Sequence, residues 1–127
     1  EYAERPYDRD LLVRLIVKKE NAEFFYQSVR NSQTDIPVLT CAAARLENGS
    51  YRIVIGARPL KAVLFELPAK AGVSAQELAQ NFAGAVKNDI ITGSNMRGSA
   101  EYRRHLADVL TKRAVVELEA RTAQEGN

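Results

Sequence analysis

The stretch Val38-Leu39-Thr40-Cys41-Ala42-Ala43-Ala44-Arg45-Leu46-Glu47-Asn48-Gly49-Ser50-Tyr51-Arg52-Ile53-Val54-Ile55 reads as two strands joined by a tight turn. Asn48-Gly49 tolerates positive φ at both central positions, as a type I′ hairpin needs. Beyond it Tyr51, Ile53 and Ile55 alternate with Arg52 and Val54, so one face of that strand is wholly apolar. Before it Asp35-Ile36-Pro37 leads into a strand over residues 38–46, with Pro37 at its start or on an edge because it cannot donate to a ladder. Gly56-Ala57-Arg58-Pro59 breaks the second strand, and residues 60–67 read as another. Upstream, Leu11-Leu12-Val13-Arg14-Leu15-Ile16-Val17 is short and rich in branched apolar residues, which predicts a further strand. The aromatic cluster Phe24-Phe25-Tyr26 should anchor the segment after it to the core. The expectation is a small antiparallel meander.

The period changes after residue 73. Ser74-Ala75-Gln76-Glu77 fits a capping box, with Ser74 accepting from the backbone of Glu77 and Glu77 reaching back. Behind it Leu78, Phe82, Ala85 and Val86 lie on one face of a helix ending near Asn88. Residues 89–98 form a loop with two glycines, and Ser99 can cap a second, longer helix. The apolar stripe of that helix is Tyr102, Leu106, Val109, Leu110, Ala114 and Leu118, with Arg103, Arg104, Asp108, Lys112 and Glu119 on the wet side. The order β-β-β-β-α-α predicts an α+β domain, an antiparallel sheet of three to four strands with the C-terminal helices packed on one face.

Composition sets the outer limits. The 127 residues carry 18 Lys+Arg against 16 Asp+Glu, a net charge of +2, with 46% apolar and 27% charged residues. That is the balance of an ordinary globular domain, long enough for one sizeable core. No apolar run approaches the roughly 20 residues that span a bilayer, so no membrane partner is expected. The lone Cys41 excludes an intramolecular disulfide, and with His105 the single imidazole no Cys/His metal site is credible. So small a positive charge, spread along the chain, offers little counterion release, and no nucleic-acid partner is expected. The chain opens Glu1-Tyr2-Ala3-Glu4-Arg5-Pro6 without a Met, which reads as a missing start residue or a piece of something longer.

No catalytic constellation stands out. His105 has only Asp108 at i+3 to orient it and no nucleophile placed by sequence, so a surface histidine is the better reading. A small hydrolase would need His105 for its activity, and none is expected. Cys41, beside Ala42 and Ala43, reads as a small buried hydrophobe. Gly93-Ser94-Asn95-Met96-Arg97-Gly98-Ser99 before a helix could present amides to an anion. It lacks the P-loop lysine and the dinucleotide glycine spacing. The favoured reading has Gly98 permitting a turn, Ser99 capping, and Arg97 reaching a nearby carboxylate or carbonyl. Arg97, Arg103 and Arg104 form a basic patch diluted by Glu101 and Asp108.

Arg97-Gly98-Ser99-Ala100-Glu101-Tyr102-Arg103-Arg104, followed by Leu106, Leu110 and Ala114, closely resembles the C-terminal domain of the FAD-binding subunit of molybdenum hydroxylases, the carbon monoxide dehydrogenase and xanthine dehydrogenase type. Weaker matches agree in order from about Phe24 to about Leu118: Tyr26 and Val29 of a degraded Tyr-Arg-Lys-Val-Gly stretch, Asp35-Ile36, the Asn48-Gly49 hairpin, Gly56-Ala57-Arg58-Pro59 with Lys61-Ala62, and the capped helix. Gln27, Ser28 and Arg30 depart from that stretch at its Arg, Lys and Gly, and Asn95 stands where an Asp often precedes the arginine motif.

The resemblance implies a component of an oxidoreductase in which electrons pass from a molybdenum-pterin centre through iron–sulfur clusters to FAD. It implies FAD held mainly by an upstream FAD-binding domain, and iron–sulfur and molybdenum-pterin subunits as partners of the parent enzyme in the cytoplasm. On this reading residues 1–22 are a remnant of, or joint to, a flavin-binding domain, and residues 23–127 are a single α+β domain. No catalytic or metal residue is assigned, no cofactor residue is carried over, and no FAD is expected on this fragment alone. Arg97, Ser99 and Tyr102 would be structural residues at a helix start. The competing reading is a free-standing interaction module whose arginine-bearing helix binds an acidic protein or nucleic acid.

Overall fold

A computed structural model describes residues 13–17 and 19–125. Four strands, β1 (Ala22–Val29), β2 (Leu39–Leu46), β3 (Tyr51–Gly56) and β4 (Val63–Leu67), form one antiparallel sheet in the order β1-β2-β3-β4. Helices α1 (Ala75–Asp89) and α2 (Ala100–Glu125) follow. The expected α+β meander with C-terminal helices is the observed fold.

The identity of the first strand differs from expectation. Residues 13–17 take no regular structure and leave Val13, Leu15, Ile16 and Val17 exposed, while Leu11 and Leu12 lie outside the described residues. The place beside β2 is taken by Ala22–Val29, whose eight residues pair in register from Ala22↔Leu46 to Val29↔Leu39. The aromatic cluster is therefore part of a strand, and alternation splits it between the two faces. Phe25 packs on the core, whereas Phe24 and Tyr26 point away from it and are mostly exposed. Only one of the three is an anchor.

The hairpin is where the sequence placed it, with a different turn. Gly49 has φ +76°, but Asn48 does not share the positive φ that a type I′ turn requires. The Gly49 amide donates to the Leu46 carbonyl at 2.8 Å and the Leu46 amide to the Ser50 carbonyl at 2.9 Å. This is a three-residue loop, a type I turn closed by a left-handed glycine. The Asn48 side chain holds it by accepting from the Ser50 amide at 2.9 Å and from the Ser50 hydroxyl at 2.6 Å.

One face of the sheet carries the core. Cys41, Ala43, Tyr51, Ile53 and Ile55 point inward, and α2 crosses β1 and β2 while α1 lies along α2. Ser74 caps α1 by accepting from the Glu77 amide at 3.3 Å, without a return bond from Glu77 among the described residues. Leu78, Ala79, Phe82, Ala83 and Val86 are its buried face. The Phe82 ring meets Tyr51 edge-on, with centroids 5.2 Å apart and planes at 63°, and so ties α1 to β3. The Tyr51 hydroxyl donates to Glu119 of α2, which also pairs with Arg45 at 3.1 Å. Burial, then Glu119, pushes the Tyr51 hydroxyl pKa up, so the phenol stays protonated. Burial likewise pushes the Cys41 thiol up to about 12, and as expected the side chain is a small buried member of the core.

Along α2 the buried positions are Arg103, Leu106, Ala107, Leu110, Thr111, Ala114, Val115 and Leu118. Tyr102, expected in the apolar stripe, is exposed. Arg103, expected on the wet side, is 1% exposed. The stripe is turned by one residue at its start because a guanidinium fills the space beneath the preceding loop. His105 is on the surface, as its isolation in the sequence suggested.

Candidate functional site

The loops at one end of the sheet converge on Arg103. The α1–α2 connection begins as Ile90, which is buried, closes α1 through a bond from its amide to the Val86 carbonyl at 2.9 Å. The Gly93 amide then donates to the Arg58 carbonyl at 2.9 Å, and Arg58 Nη1 donates back to the Ile91 carbonyl, which pins this connection to the β3–β4 turn. A side chain on Gly93 would meet Pro59 Cβ at 3.3 Å, so the two loops touch backbone to ring. Asn95 and Gly98 exchange both backbone bonds at 3.1 Å, closing a tight turn that leaves Met96 93% exposed.

Arg103 fills the hollow this creates. Its Nε donates to the Val38 carbonyl at 2.9 Å, Nη1 to the carbonyls of Gly93 at 2.9 Å and of Gly98, and Nη2 to Asn95 Oδ1 at 2.6 Å. One side chain thus joins the start of β2, both ends of the 93–98 loop and α2. All four acceptors are uncharged. A buried cation without a carboxylate is expensive to desolvate, and burial followed by the nearby Arg97 charge lowers the Arg103 pKa from its usual value. Gly98 is small for a packing reason: a Cβ there would lie 3.2 Å from Val38 Cγ1 and 3.9 Å from Arg103 Cζ.

The rest of the arginine motif is structural in the way the sequence suggested. Arg97 Nε pairs with Asp35 Oδ1 at 3.1 Å, and Asn31 Nδ2 donates to the Arg97 carbonyl at 3.2 Å, which ties the loop to the β1–β2 connection. Arg30 Nη1 donates to the Asp35 carbonyl. Asn95 Oδ1 also accepts from the Arg97 amide at 3.0 Å, so it keeps a turn role without a carboxylate. Ser99 caps α2 by accepting from the Tyr102 amide at 3.1 Å, and Ser94 Oγ accepts from the Ala100 amide at 2.8 Å. Two first-turn amides of α2 are therefore already taken by hydroxyls, which argues against the anion-binding reading of this loop.

The Asp35 carboxyl is held below the usual range, first by the bond from the Ile36 amide and then by Arg97. A depressed carboxylate contributes stability in full above about pH 4 and loses it as pH falls through its folded value. A carbon-detected NMR titration should place Asp35 below the ordinary carboxylate range, and Arg97→Gln should return it only part of the way, because the Ile36 bond remains.

The sequence kept Arg97, Arg103 and Arg104 together as one basic face. The structure separates them: Arg97 is paired, Arg103 is buried, and Arg104 alone faces solvent without a charged partner among the described residues. The periodicity held the signal, since 103, 106, 107, 110, 111, 114, 115 and 118 is an unbroken helical stripe once an arginine is allowed on it. Gln27, at the Arg of the degraded stretch, points inward and donates to the Leu110 carbonyl at 2.7 Å; Tyr26 is on the opposite face of the sheet.

The helix start is capped, and the hollow between β1 and the β2–β3 hairpin is lined by Glu20, Glu23 and Glu47 with Arg45, a poor match for a diphosphate. No group of three His, Cys, Asp or Glu among the described residues is placed to hold a metal, and none of the described helices is long and apolar enough to cross a membrane.

Comparison with known proteins agrees with the arginine motif. The chain is 29% identical over 110 residues to the uncharacterized protein YgfM of Escherichia coli, covering 87% of this chain and 40% of that protein. The fold matches quinoline 2-oxidoreductase from Pseudomonas putida 86 with a TM-score of 0.61 at 18% identity, over 77% of this chain and 37% of that one. It also matches carbon monoxide dehydrogenase from Hydrogenophaga pseudoflava, in a form lacking the Mo-pyranopterin moiety of its cofactor, with a TM-score of 0.63 at 22% identity, over 79% and 37%. The chain thus spans well under half the length of these relatives. Residues 24–118 match the sequence pattern described as the CO dehydrogenase flavoprotein C-terminal domain, and the chain belongs to that family.

Proposed function

We propose that this chain is the C-terminal domain of the FAD-binding subunit of a molybdenum-hydroxylase-type oxidoreductase of the cytoplasm. Residues 23–127 are the domain, and the residues up to 22 join it to an upstream flavin-binding domain. Its task is mechanical: it braces the flavin domain and offers surface to the iron–sulfur and molybdenum-pterin subunits, while the redox groups sit on other segments. The observation that carries this reading is the family match over residues 24–118, three quarters of the chain, with the arginine motif inside it.

The geometry is consistent with such a role. Arg103 and Arg97 lock the α1–α2 connection to the β1–β2 connection, and Arg58 ties it to the β3–β4 turn, which makes one edge of the sheet a single unit, a device for holding shape. Titration of the isolated chain with FAD, read by absorbance and fluorescence, should show no binding at micromolar concentrations. The polypeptide that includes the upstream residues should purify with flavin. Flavin bound by the 127-residue chain alone, or a longer polypeptide that takes up none, would contradict the proposal.

A further inference from the structure

The sheet has a second face that no described element covers. The register aligns Tyr26, Ala42, Val54 and Leu64 across all four strands on this face, with Phe24 beside them on β1. Phe24, Tyr26 and Leu64 are 65%, 61% and 51% exposed. A single exposed apolar residue on a globular surface needs no account, but a contiguous row across a whole sheet marks a contact surface. The helices already cover the opposite face, so this one is the sheet's free side.

The path of the chain indicates what lies on it. Glu20, two residues before β1, is paired at 2.8 Å with Arg52, which stands on the free face and also pairs with Glu66 at 3.2 Å. The polypeptide before β1 therefore leaves from this side of the sheet. It carries Val13, Leu15, Ile16 and Val17, all exposed. The chain covers only 40% of YgfM and 37% of each matched structure, so those proteins hold a large further portion.

We infer that the free sheet face, centred on Tyr26, Val54 and Leu64, is the docking surface for the upstream portion of the same polypeptide. This inference rests on the proposed reading of the chain as one domain of a longer subunit. The contact is mainly apolar burial, with Arg52, Glu20 and Glu66 as its charged rim.

The test uses thiol labelling, for which the buried Cys41 is a silent background. Tyr26→Cys and Leu64→Cys are made in the 127-residue chain and in the longer polypeptide, with Arg104→Cys on the exposed side of α2 as control. Maleimide labelling at positions 26 and 64 should be slowed at least about tenfold in the longer polypeptide, and unchanged at 104. Equal rates in the two polypeptides overturn the proposal. So does protection already present in the 127-residue chain, whether constant, which assigns the cover to its own first residues, or concentration-dependent, which assigns it to a second copy. Flavin content of the longer polypeptide is read separately. Flavin bound without thiol protection sinks the docking surface alone, and thiol protection without flavin sinks the functional reading alone.

Discussion

Replacing Arg103 by Met is expected to lower the unfolding free energy by about 3 kcal/mol, read from the midpoint of a urea titration. The aliphatic stem is roughly conserved in volume, so little of the effect comes from a cavity. What is lost is the donor to four acceptors: the carbonyls of Val38, Gly93 and Gly98, and Asn95 Oδ1. The Gly98 carbonyl and Asn95 Oδ1 keep the Asn95 and Arg97 amides as donors, so the loss falls mainly on the Val38 and Gly93 carbonyls. Each acceptor left dry and unpaired costs about 1–3 kcal/mol, and the relief of no longer burying a cation offsets part of the sum. Arg103→Lys should recover only part of the loss, because a point charge with three donors cannot span acceptors laid out around a planar fork.

The same site gives a sign test. Asn95→Asp places a carboxylate on Nη2 and should raise stability by about 1 kcal/mol near neutral pH, since the buried cation then has a counter-charge. That gain belongs to a carboxyl whose pKa is depressed, so it is complete above about pH 4 and lost on further acidification. In the Arg103→Met background the same substitution should destabilise, because the carboxylate is left without its partner. A double-mutant cycle that shows additivity would mean that the two side chains do not act as a unit.

Phe82→Ala is expected to cost about 3–5 kcal/mol, as large aromatic truncations in closed cores do. Phe82 is 2% exposed and meets the Tyr51 ring edge-on, so its removal opens a void where α1, α2 and β3 come together. Marginal domains hold only about 5–15 kcal/mol in all, so the variant should unfold at a distinctly lower urea concentration. Helix α1 should lose amide protection in hydrogen exchange before the sheet does, because Phe82 is the side chain that ties α1 to β3. Phe82→Leu, which keeps most of the volume, should recover the larger share of the loss. A loss below about 1 kcal/mol for the alanine variant would show that the junction collapses around the gap.

Local patterns made much of the fold legible. The 3.6-residue spacing behind Ser74 and Ser99 gave both helices with their caps, and the alternation after Asn48-Gly49 gave β3 with its inward face. The first strand was not legible in that way. Leu11-Leu12-Val13-Arg14-Leu15-Ile16-Val17 has the stronger strand composition, yet it is Ala22–Val29 that pairs along the full length of β2. Pairing is decided by a partner edge and a connecting loop of workable length, and neither is written in the segment itself. The hairpin shows the same limit on a smaller scale. Asn-Gly announced a turn, and the register of the flanking strands selected a type I turn with a left-handed Gly49 over the type I′ form.

The sequence by itself determined the class of fold, the two helices, the hairpin, the burial of Cys41 and the family. Each of these rests on spacing or turn chemistry that acts within a few residues of chain. Only the tertiary structure decided which segment became β1, which face of the sheet stayed open, and that Arg103 lies in the core while Tyr102 faces water. Those outcomes depend on groups far apart in sequence, such as the Val38 carbonyl 65 residues before Arg103, arriving at one place. A charged residue reads as exposed until its acceptors are known, because its hydration is lost on burial unless the fold supplies hydrogen bonds in its stead.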